Sequence, residues 1–157
     1  MQHAFSYNKA KTIQALRYHF LARIEIKILM IAVNIFAVIA ALLFYSKKIR
    51  PEPFFLGTFI WILLMITIWY ILPYSIFNKA GTFKEHFIVH FMANVIQLEN
   101  EKGHVEWPYE SFKKWFESPH FFHLYFDDKS FFLIPKDGMN NELETAVKKL
   151  LQAQISK

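Results

Sequence analysis

Two long apolar runs, separated by a short charged segment, constrain this chain more than any other feature. Within residues 28–44 every residue except Asn34 is apolar or small, and residues 54–72 carry no charge. Each run has close to the roughly 20 residues that a helix needs to cross a bilayer. The segment 45–53 is charged and contains two prolines, which is typical of a tight connection between helices. The sequence therefore predicts a two-helix transmembrane hairpin within residues 26–75.

The second apolar run ends in aromatic residues. Trp69, Tyr70 and Tyr74 are of the side-chain types that favour the interface between lipid and water. Pro73 lies among them and lacks the backbone N–H that a continuing helix requires. We therefore expect the second helix to end near this proline.

The basic residues gather around the apolar runs. The first 50 residues contain eight Lys and Arg against one Glu, whereas the remaining 107 contain ten against twelve acidic residues. Five basic residues precede the first run, three lie in the connection and two follow the second run. Because cytoplasmic flanks are enriched in positive charge, we predict a multi-pass protein of the bacterial inner (cytoplasmic) membrane with both termini in the cytoplasm. The C-terminal part lacks the basic excess that binds phosphates, which argues against a nucleic acid partner.

Asn34 is the polar exception in the first run. An amide inside hydrocarbon requires a hydrogen-bond partner, and the small residues Ala37, Ala41 and Gly57 would allow a close helix contact. We interpret Asn34 as an intramembrane polar contact, either within the hairpin or between protomers. A polar transport path is the alternative.

Residues 1–25 combine a short extended stretch with a basic amphipathic helix. Asn8 is the expected N-cap, and apolar residues recur every three or four positions after it. Such a helix either lies along the membrane surface or packs on the soluble part of the chain.

Residues 79–157 contain short segments with alternating apolar side chains, which predict antiparallel strands. We place these strands at residues 86–91, 95–98, 105–107, 112–117, 121–126 and 131–134. Turn residues separate them, and an amphipathic helix with Asn141 as its expected N-cap ends the chain. One helix after several strands predicts a small split barrel whose open end the helix covers. The expected fold class is therefore an α+β membrane protein.

The sequence offers no catalytic set. The absence of cysteine excludes disulfides, thiolate catalysis and cysteine-ligated metals. His86 and His90 have the spacing of a zinc-binding pair but lack the Glu of that motif, so we interpret them as half-exposed strand histidines. Asp127 and Asp128 fit a solvated turn. We expect no enzyme activity, no catalytic residues, no cofactor and no metal site.

An aromatic and basic cluster is the candidate binding surface. It consists of Trp107, Tyr109, Lys113, Lys114 and Trp115. The simpler interpretation is that the aromatic side chains belong to the core and the lysines point outward. The alternative is a surface that binds an apolar partner or rests on the inner leaflet of the membrane.

The segment Ser118-Pro-His-Phe-Phe-His-Leu-Tyr-Phe-Asp-Asp-Lys-Ser-Phe-Phe-Leu-Ile-Pro-Lys136, preceded by Trp107-Pro-Tyr-Glu-Ser-Phe112, resembles the C-terminal signature of the YcxB-like membrane proteins. The most specific part is the Ile-Pro-Lys strand end. The resemblance implies two transmembrane helices and a cytosolic domain of the pleckstrin-homology-like (PH-like) type. It implies no established activity.

These features favour a membrane-anchored, non-enzymatic binding or scaffold protein. Its expected partners are the lipid bilayer and either another protein or further copies of the chain. An immunity or envelope-defence protein against a membrane-acting toxin is the first alternative, and an oligomeric channel or transporter component is the second.

Overall fold

A computed structural model describes residues 1–155 of the chain. It contains two compact units: Met1–Ala15 together with the chain from Ala80 onward form the first, and Leu16–Lys79 form the second. The first unit contains the sheets and the C-terminal helix, and the second contains the long apolar helices. The α+β class is confirmed.

The first unit contains two antiparallel sheets. One has the order β1 (Gln2–Ser6), β2 (His86–Phe91), β3 (Val95–Asn100) and β4 (Gly103–Pro108). The other has the order β5 (Lys114–Glu117), β6 (Phe121–Tyr125) and β7 (Phe131–Pro135). Within residues 1–155 the strands do not form a closed barrel. The core lies on the inward faces of the two sheets, where Val89, Ile96, Leu124 and Ile134 are fully buried.

The strand β1 is an edge strand of the first sheet. It pairs antiparallel with β2, with Phe5 opposite Phe87 and Ala4 opposite Ile88. His3 and Phe5 are buried while their neighbours are exposed, which is the alternation of a strand with one face on a core. In the sequence, the whole second unit therefore lies between two strands that are neighbours in one sheet.

The helix α5 (Asn141–Ile155) follows the second sheet. Its N-cap is Asn140, whose Oδ1 accepts a hydrogen bond from the Leu143 N–H at 2.7 Å. The prediction of Asn141 as the cap is wrong by one residue, because two consecutive asparagines offer the same chemistry. Val147 and Leu151 on one face of the helix are fully buried in the core.

Four α-helices lie between β1 and β2 along the chain. They are α1 (Lys9–Ala22), which crosses from the first unit into the second, α2 (Ile24–Tyr45), α3 (Pro51–Ile66) and α4 (Leu72–Lys79). The predicted cap of α1 is confirmed, since Asn8 Oδ1 accepts from the Lys11 N–H at 3.2 Å. At the tip between α2 and α3, the rings of Phe44 and Phe54 stack with centroids 4.3 Å apart.

The expectation that Pro73 ends the second apolar helix is wrong. A π-helical turn, Thr67–Ile71, joins α3 to α4, and the helix continues through the proline to Lys79. Pro73 has no N–H to donate to the carbonyl of Trp69, four residues earlier. Arg17 supplies a donor to this carbonyl, since its Nε lies 3.0 Å from Trp69 O. The arginine side chain thereby gives this carbonyl a hydrogen bond that the proline cannot provide.

Candidate functional site

The five residues of the predicted aromatic and basic cluster separate into a packed group and an exposed group. Tyr109 is buried and donates its hydroxyl hydrogen to Met92 O at 3.0 Å. Burial raises the pKa of this tyrosine to about 12. Trp107 and Trp115 are half-buried and pack against the core. The aromatic members therefore stabilise the fold rather than form an exposed surface.

Lys113 and Lys114 are exposed, as expected for the basic members of the cluster. Their Nζ atoms lie 3.3 and 3.7 Å from carboxylate oxygens of Asp128. The hydrogen bond from Lys113 lowers the pKa of Asp128. Both lysines thus neighbour an acidic group, and exposed pairs of this kind contribute little to stability.

The Ile-Pro-Lys strand end is a structural junction. The Lys136 side chain is only 10% exposed, forms an ion pair with Glu117 and lies 2.9 Å from Glu144. Lys148 lies 2.6 Å from the other oxygen of Glu117. The hydrogen bonds from Lys136 and Lys148 lower the pKa of Glu117. This network joins β5 and the end of β7 to α5.

Two side chains of the N-terminal segment bind backbone carbonyls of β7. His3 Nε2 is 3.0 Å from Pro135 O, and the Tyr7 hydroxyl donates to Leu133 O at 2.7 Å. Burial lowers the pKa of His3 and raises that of Tyr7 well above its ordinary value. The neutral imidazole donates from Nε2, so the bond to Pro135 does not require a charged ring. These contacts connect the first sheet to the second.

The histidines lie apart from any metal-binding arrangement. His86 and His90 share the outward face of β2, and His90 Nε2 is 3.4 Å from Glu99 Oε2. His123 is fully buried in β6, with Nε2 2.9 Å from Ser118 Oγ. Among residues 1–155, no three or more His, Cys, Asp or Glu side chains are placed to hold a metal ion.

A wide cleft of about 960 Å³ opens beside β1, β2 and β3. The carboxylates of Glu99, Glu101 and Asp137 and the ring of His86 line it, and the lining residues within the described chain include no Lys or Arg. Asp137 forms an ion pair with Lys11 at 2.8 Å. Sequence reasoning missed this cleft because its walls come from four separate segments of the sequence.

The second unit presents apolar side chains outward. The helical segments Ile24–Tyr45 and Pro51–Lys79 are long and apolar enough to cross a membrane, and almost none of their most apolar stretches is buried. Phe36 is 71% exposed and Leu42 is 61% exposed. Single exposed apolar residues are ordinary in soluble proteins, but continuous apolar surfaces of this kind mark contact with lipid or with another protein.

Asn34 forms its hydrogen bond within its own helix. Its Nδ2 donates to Met30 O on its own helix at 2.7 Å, and the side chain is exposed. The small residues that were expected to form a close contact line a groove of about 520 Å³ between α2 and α3 instead. A Cβ atom placed on Gly57 would meet no atom within 4 Å, so the helices are not closely packed there.

The C-terminal part of the chain is similar to a known protein family. Residues 91–151 match the family model described as YcxB-like protein. The matched segment runs from the last residue of β2 into α5 and contains the Ile-Pro-Lys junction. The C-terminal part of the chain is therefore a YcxB-like domain, and the resemblance noted for this part is confirmed. No curated protein and no solved structure matched the chain.

Proposed function

We propose that this chain is a membrane-anchored, non-enzymatic binding or scaffold protein of the inner membrane. In this proposal α2, α3 and α4 form a transmembrane hairpin, and the first unit is a cytosolic PH-like domain. The bilayer is the first partner, and a protein that carries a basic segment is the second.

The observation that carries the proposal is the insertion of two exposed apolar helices between paired strands. Since β1 and β2 share one sheet, the chain that leaves after β1 must return to the same side before β2. Two crossings of the membrane return the chain to the side from which it left, whereas a single crossing does not. The positive residues on the outer flanks of the apolar runs favour the cytoplasm as that side.

The strand arrangement supports the PH-like assignment. A four-stranded and a three-stranded antiparallel sheet pack around one core, and a C-terminal amphipathic helix packs on it. Such an arrangement leaves loops and clefts at its ends for binding while the core stays closed.

The cleft beside β1 and β2 is the site that we assign to the protein partner. Its volume lies within the range of roughly 300–1,000 Å³ that is usual for binding sites. Its lining carries three carboxylates, one of which is already paired with Lys11. Because like charges repel, this lining favours a basic protein segment over the anionic headgroup of a lipid.

Cysteine labelling tests the anchor, since the natural chain contains no cysteine. We expect a membrane-impermeant maleimide to label Ser46→Cys, at the hairpin tip, in cells with an intact cytoplasmic membrane. Lys129→Cys, in the β6–β7 turn, should be labelled only after permeabilisation. Labelling of both positions in intact cells, or of neither, would contradict the proposed topology.

A peptide titration on the full chain in nanodiscs tests the cleft. Hexalysine should bind in a salt-dependent manner and hexaglutamate should not. The double variant Glu99→Gln/Glu101→Gln should weaken hexalysine binding, whereas Glu106→Gln/Glu110→Gln, on exposed residues outside the cleft, should not. Equal losses in the two double variants would show a general charge effect and remove the cleft as the site.

A further inference from the structure

One face of α2 carries an exposed stripe with heptad spacing. Four exposed positions lie alternately four and three residues apart along the helix: Lys27, Ile31, Asn34 and Val38. The adjacent stripe is half-buried throughout: Ile26, Met30, Val33, Ala37, Ala40 and Phe44. Alternating spacings of four and three residues are the pattern by which one helix packs lengthwise against another. Within the hairpin α2 packs through the half-buried stripe, and no residue of the described chain covers the exposed stripe.

Asn34 lies at the centre of the exposed stripe and in the middle of α2 (Ile24–Tyr45). A primary amide has two N–H donors and an acceptor oxygen. One N–H of Asn34 is used by the bond to Met30 O. The second N–H and the oxygen require a partner outside the hairpin, because a polar amide group without hydrogen bonds is energetically unfavourable in hydrocarbon.

We propose that two copies of this chain pack side by side through the exposed stripe of α2, with their Asn34 amides hydrogen-bonded to each other. This inference rests on the proposed transmembrane hairpin. Each Asn34 donates its second N–H to the oxygen of the other, so the contact is symmetric about a two-fold axis.

The chemistry favours a second copy over a different protein. An amide is complementary to itself, so an identical helix supplies both missing partners. Two copies inserted with the same topology bring their Asn34 residues to the same depth without further adjustment. A single asparagine in an otherwise apolar heptad stripe also fixes the register of parallel helices.

Disulfide trapping in native membranes tests this dimer. Val38→Cys lies on the stripe, and Phe36→Cys lies on the opposite side of α2; both positions are well exposed. Mild oxidation should join two Val38→Cys chains and should leave Phe36→Cys chains single. Adding Asn34→Leu to Val38→Cys should weaken association about tenfold, which corresponds to the loss of one intramembrane hydrogen-bonded pair. Adding Asn34→Gln should preserve most of the association.

The outcomes separate this inference from the proposed function. Equal trapping at positions 38 and 36, or trapping at 38 that Asn34→Leu leaves unchanged, would overturn the dimer. If Ser46→Cys is still labelled from outside in those membranes, the anchor stands while the dimer fails. If the chain washes out of the membrane at alkaline pH, the proposed function itself fails.

Discussion

The N-terminal strand is an integral part of the β unit, and Phe5→Ala tests this most sharply. The Phe5 side chain is only 7% exposed and contacts the rings of Tyr7 and Phe87, with centroids 5.4 and 5.8 Å away. Truncation of a buried phenylalanine costs about 3–5 kcal/mol. Phe5 lies on an edge strand, where neighbours can partly relax, so we expect a loss of about 3 kcal/mol in the stability of the β1–β2 pair.

Amide hydrogen exchange on the full chain in nanodiscs measures this loss. A cost of about 3 kcal/mol corresponds to roughly hundredfold faster exchange of the β2 amides that bond to β1, if they exchange by local opening. Gln2→Ala is the matched control, since Gln2 is exposed on the same strand. Unchanged protection of β2 in Phe5→Ala would refute the pairing of β1 with β2. An equal increase in the control would show that the buried Phe5 ring does not stabilise that pairing.

Three further predictions concern single side chains. Arg17→Ala removes the hydrogen bond from Arg17 to the carbonyl of Trp69 and should destabilise the helical unit by about 1 kcal/mol in thermal denaturation in detergent. An unchanged melting temperature would contradict the role of Arg17. Burial lowers the pKa of His3 below its ordinary value of 6.5, so the neutral ring stabilises the fold fully above pH 6.5 and less as the pH falls through the lowered pKa. His3→Gln should therefore reduce the pH dependence of the melting temperature. A pH profile identical to that of the natural chain would contradict this role of His3. Lys136 lowers the pKa of Glu117 below its ordinary value of 4.5, so the Glu117 carboxylate stabilises the fold above pH 4.5 and loses this effect as the pH falls through the lowered pKa. Glu117→Gln should therefore make stability depend less on pH in the acidic range. An unchanged dependence would contradict the stabilising role of the ion pairs of Glu117.

Local patterns predicted most of the secondary structure. The alternation of Phe87, Val89 and Phe91 with His86, Ile88 and His90 predicted β2 with its observed bounds. The turn before β7 also forms as expected. There Asp127 Oδ1 accepts hydrogen bonds from the N–H groups of Lys129 and Ser130. Gly103, the first residue of β4, has a positive φ of 141°, which glycine adopts readily. In each case the residues that decide the structure are close in sequence.

The features that sequence reasoning missed depend on contacts between distant residues. No periodicity links Phe5 to Phe87, and only the folded sheet shows that they are partners. The continuation of the helix through Pro73 requires Arg17, which a local rule about proline does not consider. The cleft is built in the same way, from Ser6, Glu99 and Asp137. Local sequence patterns determine the helices and strands, whereas a site built from several of them depends on the tertiary arrangement.

A single engineered disulfide tests the central claim that the two apolar helices, proposed to form a membrane hairpin, are inserted in sequence between two paired strands of one β unit. Ala4 and Ile88 are direct partners across β1 and β2. In intact membranes, Ala4→Cys/Ile88→Cys should form an intramolecular disulfide on mild oxidation, and Ala4→Cys/Glu106→Cys, which links β1 to the far edge strand β4, should not. If Ala4→Cys/Ile88→Cys stays reduced while both thiols react with maleimide, the two strands are not paired and the account is wrong.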